Sequence, residues 1–163
     1  MRARLLTLLL MIAAGLAVPS AAVAEPPVPW GLPLPGGLPV TRPFEAPPHP
    51  YAAGHRGADL RGSPGSVVLA AGDGVVVFAG MVAGRPVISI DHTDGLRTTY
   101  EPVDPSVGAG LRVGRGSPIG TLRPGHPGCP VEACLHWGLR RGQAYLDPLS
   151  VLRPPRVRLL PMR

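Results

Sequence analysis

Pro86-Val87-Ile88-Ser89-Ile90-Asp91-His92-Thr93-Asp94-Gly95-Leu96-Arg97-Thr98-Thr99-Tyr100-Glu101 reads as a β-hairpin. Both arms are rich in β-branched and aromatic side chains, which suit a pleated surface. Thr93-Asp94-Gly95 supplies the turn, with Gly95 able to take a positive backbone angle. Further short runs of the same kind lie on either side: Val67 to Ala70, Gly74 to Ala79, Pro118 to Leu122 and Cys134 to Arg140. Glycine-bearing turns separate them, and no helical apolar periodicity lasts beyond a turn or two outside the first residues of the chain. Short strands at such spacing predict an all-β fold, an antiparallel β-sandwich or partly open barrel with little helix.

The chain has 163 residues and a formal charge of +6, carried entirely by arginine on the basic side. Residues 1–24 have the form of a secretory signal: Arg2 and Arg4, an apolar run from Leu5 to Val18, and Ala22-Val23-Ala24 as a small-residue cleavage site. The apolar run is shorter than the ~20 residues a spanning helix needs, so no membrane span is expected after cleavage. Ten of the 23 prolines cluster in Pro26 to Pro50 and rule out a helix there. Residues 25–50 are therefore expected to form an extended leader that lies on the domain or tethers it, and residues 153–163 a basic Pro/Arg tail. Residues 51–152 remain for a single domain. Aromatics make up 4% of the chain and no basic helix appears, which excludes a nucleic-acid partner. A modest positive charge outside the cell suits an anionic wall polymer.

Two short motifs carry chemistry: His55-Arg56-Gly57-Ala58-Asp59-Leu60 and Cys134-Leu135-His136-Trp137. Catalytic zinc is typically held by three side chains drawn from His and carboxylate, with a fourth position left open. His55, Asp59 and His136 form such a set, with Zn2+ as the expected cofactor. In an extended strand from Cys134 to Arg140, Cys134, His136 and Gly138 share one face while Leu135 and Trp137 share the other. Trp137 is accordingly expected in the core.

These motifs, with Gly65 to Gly74, Ile88 to His92, Leu96 to Tyr100, Gly114 to Gly120 and Tyr145 to Leu149, resemble the lysostaphin/LytM-type zinc endopeptidases, which cut peptide cross-bridges of bacterial peptidoglycan. The resemblance covers roughly Gly54 to Leu152 and implies the duplicated-hybrid-motif β fold. It implies His55 and Asp59 as two zinc ligands, His136 as the third, and Tyr100 as a residue near substrate, with a buried core tyrosine as the equal alternative. It also implies peptidoglycan peptide as the partner of a secreted, wall-associated monomer.

The chain departs from the family pattern at two places. Where the family has Tyr-x-His, it reads Tyr100-Glu101-Pro102, and the first histidine of the family's His-x-His pair is Cys134. Both missing histidines are thought to serve the attacking water and the oxyanion. His126 and Glu132, in the loop before His136, are the candidate substitutes for the missing base. Glu101 is expected on the opposite face unless Pro102 breaks the strand. Cys129 and Cys134, the only cysteines, are expected to pair in an oxidising compartment; the alternative is a reduced Cys134 acting as a fourth ligand. The two functional readings are a zinc endopeptidase, and a degenerate module that binds wall peptide or regulates another wall hydrolase.

Overall fold

The computed structural model describes residues 29–37, 39–49 and 51–153, so the expected signal at 1–24 and all but the first residue of the expected tail lie outside the described residues. The strands are β1 (Val40–Arg42), β2 (Gly57–Gly62), β3 (Val67–Leu69), β4 (Gly74–Val82), β5 (Arg85–Asp91) and β6 (Leu96–Glu101), followed by β7 (Val103–Pro105), β8 (Arg112–Val113), β9 (Pro118–Leu122), β10 (Ala133–Arg141) and β11 (Ala144–Leu146). They form two open antiparallel sheets. The larger runs β1-β2-β10-β6-β5-β4-β8, with β11 also on β10, and the smaller runs β3-β9-β7. The only helical element among the described residues is a 3₁₀ turn at Pro148–Leu152, capped by the Asp147 carboxylate accepting from the Leu149 amide at 2.9 Å.

The fold is all-β as the hairpin and its flanking runs predict, and the β5–β6 hairpin turns at Gly95, whose φ is 76°. Register explains the core. Trp137, Tyr100 and Ile88 are successive cross-strand partners on β10, β6 and β5, and all three are fully buried. Each aromatic withdraws about 200 Å² from water, worth roughly 5 kcal/mol at ~25 cal/mol per Å² before side-chain ordering is subtracted. The smaller sheet contributes Val68, Ile119, Leu122 and Val103 to the same core. Because the strands carrying the candidate ligands are pinned by this row, their relative register is a consequence of core packing.

The proline-rich leader lies on the domain from its first described residues. Gly31 N–H donates to Ala71 O at 2.7 Å, Leu69 N–H donates to Pro33 O at 2.9 Å, and Leu34 is buried in the core. Val40–Arg42 then adds β1 to the edge of β2.

At the hairpin end, buried His92 donates from Nδ1 to Asp73 O at 2.8 Å, while its Nε2 lies 2.8 Å from Thr98 Oγ1. Thr98 Oγ1 lies 3.0 Å from the Tyr100 hydroxyl, which accepts from Ala71 N–H at 2.9 Å. Burial lowers the His92 pKa, against the opposing pull of the Asp73 carbonyl and of Asp94, Asp91 and Asp73. A histidine held neutral in the fold takes up its proton more readily when unfolded. Stability is therefore lost as pH falls through the unfolded value near 6.5 and levels off below the folded one. The melting temperature is expected to drop between pH 7.5 and 5, and to drop less in His92→Gln; an equal slope in both proteins would remove His92 as the cause.

Candidate metal centre

Asp59 on β2 and His136 on β10 are direct cross-strand partners, so their side chains stand on one face at the closest spacing a sheet allows. His55 lies just ahead of β2. Its backbone forms a two-hydrogen-bond bridge to Glu45 of the leader, at 3.0 and 2.9 Å, which turns its ring toward the same place. His55 Nε2 is 3.0 Å from Asp59 Oδ1 and 3.1 Å from His136 Nδ1, and His136 Nδ1 is 2.8 Å from Asp59 Oδ1. His55 and Asp59 are buried; the His136 side chain is 18% exposed and gives the cluster its opening.

These atoms cannot satisfy one another. His55 Nδ1 lies 2.7 Å from the Pro43 carbonyl, which can only accept, so Nδ1 carries the proton and Nε2 of the neutral ring presents a lone pair. That lone pair faces a carboxylate oxygen and a second imidazole nitrogen. One proton could bridge one edge of the triangle, whereas a divalent cation satisfies all three. Ligands about 2.0–2.1 Å from a tetrahedral zinc stand roughly 3.3 Å from one another, close to the spacings here. Asp59 Oδ2 is also buried without a hydrogen-bond partner. Burial works to raise the Asp59 carboxyl, but hydrogen bonds from His126 and His136 and the charge of the nearby imidazoles outweigh it. They hold the group well below the usual carboxylate range and so keep it anionic. The donor set fits zinc.

The outer arrangement comes from the leader and from one glycine. Pro43 O fixes the His55 tautomer, and Thr41 Oγ1 donates to Asp59 O at 3.1 Å. Gly57 opens β2 under the His136 ring. A Cβ there would lie 2.5 Å from Trp137 O and 2.7 Å from two ring atoms of His136. Gly57→Ala is expected to cost about 1–3 kcal/mol by overpacking, a fall of several degrees in melting temperature, and to displace His136; an unchanged melting curve would contradict this.

Residues 53–148, more than half of the chain, match the sequence profile of Peptidase family M23. The chain belongs to this family. An uncharacterised protein of Mycobacterium tuberculosis is 49% identical over 136 residues, covering 81% of this chain and 55% of the relative. The chain thus spans about half the length of that relative. Among solved structures, a zinc-containing peptidase from Vibrio cholerae is 25% identical with a TM-score of 0.57, covering 71% of this chain and 36% of that one. The catalytic domain of lysostaphin from Staphylococcus simulans shares the fold at 22% identity and a TM-score of 0.59, covering 71% and 92%.

Within this M23 domain several expectations need correction. Tyr100 is not at the substrate face: it is fully buried, and its hydroxyl is engaged by Ala71 N–H and Thr98. Strand alternation turns it inward with Leu96 and Thr98, which raises its pKa through burial. Glu132 is exposed, and among the described residues it is not part of the cluster of His55, Asp59 and His136. Glu101 does stand on the face of His136, as its direct partner across β6 and β10, and pairs with Arg85 at 2.6 Å.

His126 is brought in. Its Nε2 lies 3.2 Å from Asp59 Oδ1, its ring lies near-parallel to His136 with centroids 5.4 Å apart, and its side chain is 10% exposed. Cys129 and Cys134 are joined, so Cys134 offers no thiolate; the Cys129 amide donates to His126 O at 3.2 Å, which ties the turn bearing His126 to β10. The acceptor that fixes the His55 ring from its Nδ1 side is also invisible in sequence. It is a leader carbonyl, and a proline-rich stretch gives no signal for one.

Proposed function

We propose that this M23 domain is a secreted zinc endopeptidase acting on the peptides of bacterial peptidoglycan, with His55, Asp59 and His136 as metal ligands and His126 in place of the histidines absent at Pro102 and Cys134. The observation that carries the reading is the third imidazole. His126 Nε2 lies 3.2 Å from Asp59 Oδ1, so a third imidazole stands beside the cluster where a proton carrier is needed. Family membership and the peptidase names of the neighbouring structures support the reaction class.

Bound zinc would supply Lewis-acid polarisation and make a water nucleophile available near neutral pH. The chain's residues do the rest. Pro43 O keeps the His55 proton on Nδ1, so Nε2 stays a donor of electrons to the cation. Asp59 remains anionic. His126, which donates from Nε2 to Asp59 Oδ1, takes the proton of the attacking water at the nitrogen it does not donate from and returns it to the leaving amine, a role that typically contributes 10²–10⁴-fold. The Cys129–Cys134 loop keeps that imidazole beside the metal ligands.

The test is release of new amino groups from purified peptidoglycan by the mature, zinc-loaded chain. Zinc-dependent release supports the enzyme. Stoichiometric zinc with binding to peptidoglycan and no release would instead support a binding or regulatory module.

A further inference from the structure

The sheet face that carries His136 is laid out by register. On β10, His136, Gly138 and Arg140 point the same way, opposite Glu101, Thr99 and Arg97 of β6. Ser89 and Asp91 of β5 continue the last two rows. The middle row therefore holds glycine, threonine and serine, the smallest side chains of the set. A groove of about 280 Å³ opens above it, running from His136 to Arg140 with Arg56 and Tyr145 along its side.

The walls of this groove are positively biased. Arg56 lies over the Tyr145 ring at 5.4 Å, and its guanidinium donates to Ala52 O at 2.9 Å. Arg97 is paired with Asp91, and Glu101 with Arg85. Arg140, the cross-strand partner of Arg97, also acts through its charge on Asp91 but makes no ion pair with it within 4 Å. Three guanidiniums, those of Arg56, Arg97 and Arg140, thus line the groove with one carboxylate, that of Glu101, and low-dielectric walls focus their field. From residue 136 to 140 the strand advances about 13 Å at ~3.3 Å per residue. An extended peptide seated along it would place a group four residues away beside Arg140.

We propose that the groove selects peptides bearing a free carboxylate, on a side chain or at the chain end, within about four extended residues of the bond presented to the metal centre, and that Arg140, with Arg56 beside it, receives that carboxylate. This rests on the peptidase reading in that the groove leads from the same site, but it names the substrate's chemistry. A guanidinium meets a carboxylate with two parallel hydrogen bonds, which are stronger and more directional than neutral ones.

The experiment uses fluorescent pentapeptides in two matched pairs, a C-terminal acid against its carboxamide and an internal Glu against Gln. Affinity for the zinc-loaded mature chain is read by anisotropy at low salt, with chromatography confirming intact peptide. At least one pair is expected to favour the carboxylate by about tenfold or more, the advantage shrinking with added salt. Arg140→Gln is expected to bring that pair within about twofold. The pair that discriminates tells a side-chain carboxylate from a terminal one. Equal affinities in both pairs, or discrimination that survives Arg140→Gln, would overturn the proposal. Discrimination by a preparation that releases no amino groups from peptidoglycan would overturn the hydrolytic reading and leave this one standing; release from peptidoglycan without discrimination would do the reverse.

Discussion

His126→Gln is expected to slow zinc-dependent release of amino groups from peptidoglycan by about 10²–10⁴-fold while leaving close to one zinc per chain. The range is that of a positioned general base. It applies because no other imidazole takes the positions where the family has its two non-ligand histidines: residue 102 is proline and Cys134 is bonded to Cys129. Glutamine keeps a polar group of similar reach but cannot shuttle a proton near neutral pH. A paired assay of metal content and initial rate separates the role from a structural one. If rate and zinc fell together, His126 would be acting through the metal site; if neither changed, it would have no part in catalysis.

His136→Ala is expected to abolish both tight zinc binding and hydrolysis, with the fold retained. The residue is the most exposed of the three candidate ligands and lies on the outer face of β10, so its removal leaves the inner row of Trp137, Tyr100 and Ile88 intact. It leaves His55 Nε2 and Asp59 Oδ1 as two donors, one fewer than the three protein ligands of catalytic zinc sites. The check is metal content after dialysis against a weak chelator, beside the circular dichroism melt. A variant that keeps stoichiometric zinc would show that His136 is not a ligand.

The parts of this protein that could be read from its sequence are those governed by local rules. The strands at Leu96–Glu101 and Pro118–Leu122 follow from β-branched runs between turn residues, and their bounds agree with the structure. β2 escaped because Gly57-Ala58-Asp59-Leu60-Arg61-Gly62 has no β-branched residue; it is a strand because β1 and β10 hydrogen-bond it on both sides. β1 escaped because it is three residues between prolines, and its reason for pairing lies in β2. The grouping of His55, Asp59 and His136 was visible through the resemblance and through residue type. What orients it was not: the His55 tautomer depends on a carbonyl twelve residues away, and the place of His126 depends on a disulfide-tied loop folding back over Asp59. Tyr100 stays open in the sequence between a substrate-side and a core position, because sequence gives the alternation of a strand but not which face looks inward; in the structure it is buried.

The central claim is that His55, Asp59 and His136 grip one divalent cation at a site that stays open to solvent. Anomalous diffraction at the zinc edge from crystals of the zinc-loaded chain tests it most directly. The account predicts one strong peak within bonding distance of His55 Nε2, an Asp59 carboxylate oxygen and His136 Nδ1, with no sulfur among the neighbours. A zinc-replete crystal with no peak there, or with its peak bonded to other residues, would contradict it.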